Sequence, residues 1–149
     1  MRNQSAVPSP PGKPSGSRGF VIGLFLLGAA LQACVTGPVN VPDDVSPEEL
    51  IQRGQEASDR NRYNLALQYY EMIQERFPAN TDFICAAEYE IAFIHYKQKK
   101  YAQAREELQA LLGRYEGPDA VLLPGQFRIL ADIVLKRIGE KQKRKEPEE

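Results

Sequence analysis

The apolar side chains of this sequence return at an interval of 38 residues, and that interval constrains the fold more tightly than any single motif. Tyr63, Ala66, Tyr70, Ile73 and Phe77 fall on Tyr101, Ala104, Leu108, Leu111 and Tyr115, and Gly54 falls on Ala92. From Ala66 and again from Ala104 the spacing is 4, 3, 4, which lines those side chains up along one stripe of an α-helix. A further shift of 39 sets Leu130 and Ala131 on Ile91 and Ala92. The pattern therefore predicts two complete helix pairs and half of a third. In such an array each pair buries its apolar face only against its neighbours, so the core runs along a stack of helices.

Start and stop signals place the helices at about 47-60, 63-77, 82-98, 101-115 and 123-142, with the links RNR, PANT, KK and EGPDAVL between them. Ser46 is suited to cap the first, Pro47 fits the first helical position, and Glu49 completes a capping box three residues after Ser46. No stretch alternates with the period of two that a half-buried strand requires. The expected class is all-α, with a helical domain over 47-142 and a disordered charged tail over 143-149.

Small residues recur where paired helices would cross. A bulkier side chain at Gly54, Ala66, Ala92 or Ala104 would hold the two backbones apart. Gly54, then Ala66 twelve positions on, then Tyr70 and Pro78, with Leu50 earlier and Tyr63 at the start of the second helix, resemble the pattern of the tetratricopeptide repeat. Ala92, Tyr101 and Ala104 resemble it a second time. The resemblance implies a short α-solenoid of two helix-turn-helix repeats plus a C-terminal capping helix. The period is longer than the family's ~34 residues, and such longer-linked pairs resemble those of BamD-type outer-membrane lipoproteins. The chain is also similar to the short repeat lipoproteins that partner solute-binding proteins of TRAP-type transporters.

In that family the first helix of each pair lines a concave side that receives partners. Carried over by register, the resemblance places there Gln55 and Asp59, then Tyr89, Phe93, Tyr96 and Lys97, then Arg128 and Asp132. Ser58 shares the same register. Tyr89, Phe93 and Tyr96 stand at spacings of 4 and 3 on a face the scaffold does not need for its own core. Large amphipathic rings in that position are what a binding surface is made of. The same rings become core where the last helix or a second copy covers them, so both outcomes stay open at this point. His95, in the core register beside them, reads as a packing histidine.

The N-terminal region carries a separate instruction. Gly19 to Ala33 is apolar but shorter than the ~20 residues of a spanning helix, and its upstream flank holds Arg2, Lys13 and Arg18 with no acid. It ends in Leu31-Gln32-Ala33-Cys34, which resembles the lipobox of bacterial lipoproteins. That resemblance implies a signal peptide over 1-33 and lipidation of Cys34. A flexible tether over 34-46 would follow, and the location would be the periplasmic face of a membrane, the outer one by analogy with BamD-type proteins.

The remainder of the composition excludes more than it proposes. All 20 acids lie beyond residue 33 with 16 of the 19 Lys and Arg, a net charge of −4 for that part and no electrostatic footprint for nucleic acid. If Cys34 is acylated, Cys85 has no disulfide partner and reads as a small buried hydrophobe. With one His, no cluster at ligand spacing, no phosphate loop and no nucleophile elbow, the sequence offers no metal site, cofactor or catalytic centre. The expected function is non-enzymatic: a lipid-anchored periplasmic scaffold for an envelope protein partner, outer-membrane protein assembly included. The alternative is an accessory of TRAP-type solute uptake, binding a solute-binding protein or a small apolar ligand. Two and a half repeats leave much apolar surface at the ends, so either self-association into a homo-oligomer or a permanent protein partner is also expected.

Overall fold

Ser46 starts the helical region as its sequence predicts, its hydroxyl accepting from the Glu49 amide while Pro47 occupies the first turn. The computed structural model describes residues 37–144, so the expected signal peptide, the lipidation site Cys34 and the tail beyond Arg144 lie outside the described residues. Five α-helices follow one another: α1 Pro47–Asp59, α2 Tyr63–Arg76, α3 Thr81–Lys97, α4 Tyr101–Arg114 and α5 Gly125–Lys143. A single 3-10 turn, Ala120–Leu122, precedes α5, and no strand occurs among the described residues. The class is all-α.

The 38-residue interval is repeated in the backbone itself. At the end of α1, Arg60 N–H bonds Glu56 O, Asn61 N–H bonds Ser58 O and Arg62 N–H bonds Ala57 O. Gln98, Lys99 and Lys100 make the same three bonds to Ile94, Tyr96 and His95 at the end of α3. Asn61 and Lys99 are both left-handed, at φ 57 and 63. This is the Schellman closure, in which one left-handed residue lets two amides fold back onto orphan helix carbonyls. It turns the chain sharply enough for α2 to return along α1 and α4 along α3.

Each helix packs on the next, and α3 also touches α1 and α5. One side of the molecule is therefore formed by α1, α3 and α5, the other by α2 and α4. Ala66, Ala92 and Ala104 are fully buried at these contacts, as are Tyr70, Ile73 and Leu108. Gly54 lies so close to Tyr70 that no side chain fits between them. Two apolar clusters result, one among α1, α2 and α3 and the other among α3, α4 and α5. Each large side chain fully buried there contributes roughly 1.5–3 kcal/mol relative to exposure.

Within the segment expected to be a flexible tether, residues 39–45 are pinned to the helices. Val39 N–H bonds Gln68 Oε1 at 2.8 Å, and Arg76 donates to the Pro42 and Val41 carbonyls at 2.9 and 3.1 Å. Val41 and Val45 are buried in the first cluster, together with Leu50 and Ile73. A composition rich in Pro, Gly and Asp argues for a tether only while the side chains are averaged. Its valines have somewhere to go, because the outer end of the α1–α2 pair is otherwise uncovered. The segment acts as an end cap.

Candidate functional site

Five aromatic rings form a ladder along α3. The Tyr89 and Phe93 rings stack at 5.7 Å and 12°, and Phe93 and Tyr96 at 5.8 Å and 15°. Phe127 of α5 closes one end, 6.0 Å from Tyr89, and Tyr101 of α4 the other, 5.8 Å from Tyr96. The spacings of 4 and 3 make this possible, because they bring successive rings one helical turn apart on one face. Tyr89 itself is only 8 % exposed. It therefore belongs to the apolar cluster of α3, α4 and α5, the core outcome of the two that the sequence leaves open for it. Phe93 and Tyr96 are half-buried and keep part of their rings accessible.

Lys97 connects the ladder to α1. Its ammonium lies 5.1 Å from the centre of the Phe93 ring and 5.5 Å from that of Tyr63, and donates to Ser58 Oγ. A cation held over two ring faces and a hydroxyl loses little further mobility on binding. Next to it, Gln55 Nε2 donates to Glu90 Oε1 at 3.4 Å. Burial pushes the Glu90 carboxyl above its ordinary range and Asp59 adds to the rise, while the Gln55 bond and Lys97 act against it. Below them sits the Tyr70 hydroxyl, buried and with no hydrogen-bond partner among the described residues. Its pKa is raised by burial first, then by Glu90 and Asp59.

The residues singled out from sequence thus fall into two groups. Gln55, Asp59, Phe93, Tyr96 and Lys97 belong to the α1–α3 face, with Gln55 and Asp59 exposed at its rim. Arg128 and Asp132 are exposed on α5, whose side chain in the ladder is Phe127. Glu90 and Phe127 are part of the arrangement and were not among the expected site residues. Glu90 could have been found from its position three before Phe93 and seven before Lys97, which sets all three on one helical face.

On the opposite side, a groove of about 450 Å³ runs between α2 and α4. His95 borders it, buried, its Nδ1 2.7 Å from Glu107 Oε2 and its Nε2 3.4 Å from Gln103 Nε2. It is a packing histidine with both ring nitrogens engaged. Arg114 holds Glu88 through two bonds of 2.7 and 2.6 Å. Cys85 is buried, and burial pushes its thiol up. Tyr115, whose hydroxyl donates to Pro124 O at 2.8 Å, is pushed up to about 12, by burial first and then by Cys85. No group of three or more His, Cys, Asp or Glu that could hold a metal occurs among the described residues. On the α1–α3 face, the part-exposed rings of Phe93 and Tyr96 lie together with the Lys97 ammonium and the Glu90 carboxyl.

No protein-family model and no solved structure matches the chain. An uncharacterized protein of Treponema pallidum (strain Nichols) is 33% identical over 120 residues, 79% of this chain. Those residues are 46% of that relative, so the chain spans about half the length of the protein it matches.

Proposed function

We propose that this chain is a lipid-anchored scaffold of the bacterial cell envelope, a short tetratricopeptide-like solenoid that holds a segment of another envelope protein against its α1–α3 face. The observation that carries the reading is the half-exposed step formed by Phe93, Tyr96 and Lys97 above buried Tyr89. Stacking has already fixed those rings, so a partner gains contact area without the usual cost of ordering side chains. The repeat identity is supported by the small residues at Gly54 and Ala92 and by the helix closure that recurs 38 residues on. The anchor is supported by the Leu31 to Cys34 sequence.

Replacing Phe93 or Tyr96 by a photo-cross-linking residue tests the binding face in intact cells, with Gln109 on α4 as control. The expected result is a discrete cross-linked envelope protein from positions 93 and 96 and none from 109. Identical cross-linking from all three would refute a dedicated face. Cys34→Ser should abolish detergent-phase partitioning and leave precursor uncleaved; unchanged fractionation would remove the anchor from the reading.

A further inference from the structure

α5 carries two apolar stripes where a terminal helix needs one. Ala131, Val134 and Ile138 point inward and are buried against α3 and α4. Ile129, Leu130 and Ile133 form a second stripe, 62, 37 and 42 % exposed, and the preceding turn adds Val121 at 89 % and Leu122 at 72 %. Single exposed apolar side chains are ordinary, but five on one helix and its lead-in turn make a patch. At usual side-chain areas those fractions leave roughly 500 Å² uncovered, near the upper limit for the largest patch on a monomer.

We infer that this face pairs with the same face of a second copy of the chain, antiparallel, about a twofold axis close to Ile129 and Ile133. Two such patches bury about 1,000 Å², the lower bound for a specific interface. Charge selects the partner and its direction. The C-terminal half of α5 carries Lys136, Arg137, Lys141, Lys143 and Arg144 against Glu140, while Glu116 and Asp119 precede its N-terminus. Parallel pairing stacks cations on cations. Antiparallel pairing sets Ile129 against Ile133 of the other copy and carries Lys141 and Lys143 of each towards Glu116 and Asp119 of its mate. That self-complementarity is what a closed twofold interface demands. An anionic bilayer would accept the lysines but would repel Glu116 and Asp119 beside the two most exposed apolar side chains, Val121 and Leu122.

Sedimentation equilibrium of the full chain in density-matched detergent tests this. A reversible dimer is expected, with a Kd that rises at least about tenfold in Ile133→Asp while far-UV circular dichroism stays the same. Lys141→Glu with Lys143→Glu should also weaken the dimer, and adding Glu116→Lys with Asp119→Lys should restore it. A monomeric wild type overturns the proposal, as does a dimer indifferent to Ile133→Asp, which would assign association to another segment. Charge reversal without rescue overturns the antiparallel arrangement. A monomer that binds phosphatidylglycerol vesicles and loses that binding in Ile133→Asp overturns it in favour of lipid.

Discussion

A Cβ placed on Gly54 would stand 2.6 Å from two ring carbons of Tyr70. Tyr70 is fully buried and cannot swing away, so the first helix pair is closed by the absence of a side chain on one helix and a ring on the other. The second pair solves the same crossing with Ala92 and Leu108, at the corresponding positions. Gly54→Ala should therefore destabilise the protein: overpacking costs about 1–3 kcal/mol, more than the ~1 kcal/mol gained from helix propensity. Tyr70→Leu alone leaves a cavity and costs about 2–4 kcal/mol. The double variant reproduces the pairing of the second repeat and should be more stable than the sum of the singles by about 1 kcal/mol, read from urea unfolding. Strict additivity would show that the two positions do not share one space.

Lys99 adopts the left-handed conformation that Asn61 adopts 38 residues earlier, at φ 63 against 57. Asparagine tolerates that region, while lysine pays for its Cβ there. Lys99→Gly should raise stability by about 1 kcal/mol, seen as a Tm increase of several degrees. Asn61→Ala should lower it by a similar amount, losing also the bond that Asn61 Oδ1 accepts from the Tyr63 hydroxyl at 2.8 Å. A Tm unchanged by Lys99→Gly would mean the turn is not strained.

Much of this architecture is legible in the sequence because local signals agree with one another. The 4, 3, 4 spacing, the Ser46 cap and the links after Asp59 and Lys97 fix the helices to within one or two residues of their observed ends. What the sequence hides depends on contacts between distant segments. Tyr89 stands on the expected face, yet it is buried in a cluster that includes Phe127, which arrives from another helix 38 residues later. Spacing alone sets Glu90 on the face of Phe93 and Lys97, yet the burial and the Gln55 bond that distinguish it from other acids come from packing. The valines at 39, 41 and 45 read as linker until the open end of α1 and α2 gives them a surface to cover. Periodicity shows which way a residue points on its own helix, and it cannot show what comes to meet it.

Arg76 holds the end cap through two backbone carbonyls, with Asp43 3.7 Å away at the surface. Asp43 is fully solvated, so that ion pair adds little, and the carbonyl bonds carry the attachment. Arg76→Ala should release residues 39–45, cost about 1–2 kcal/mol, and raise amide exchange in that segment and over Leu50. Exchange that rises only in the segment, with Leu50 still protected, would show that the cap does not seal the first cluster.

Glu90 offers the sharpest pH test, because its carboxyl is held above its ordinary value of 4.5, by burial first. The unfolded chain releases that proton near 4.5, and the folded chain holds it to higher pH. Below 4.5 both states carry it, and the stability gained by burying the neutral acid is fully present. As pH rises through the folded-state value that stability is lost, since the fold must now accommodate a charge it disfavours. Glu90→Gln is neutral throughout and still accepts from Gln55. It should therefore be more stable than the wild type at pH 7, with the difference in urea midpoint shrinking towards zero at pH 4. An equal gain at both pH values would trace the effect to packing, and a loss at pH 7 would mean that Lys97 depends on the carboxylate more than burial penalises it.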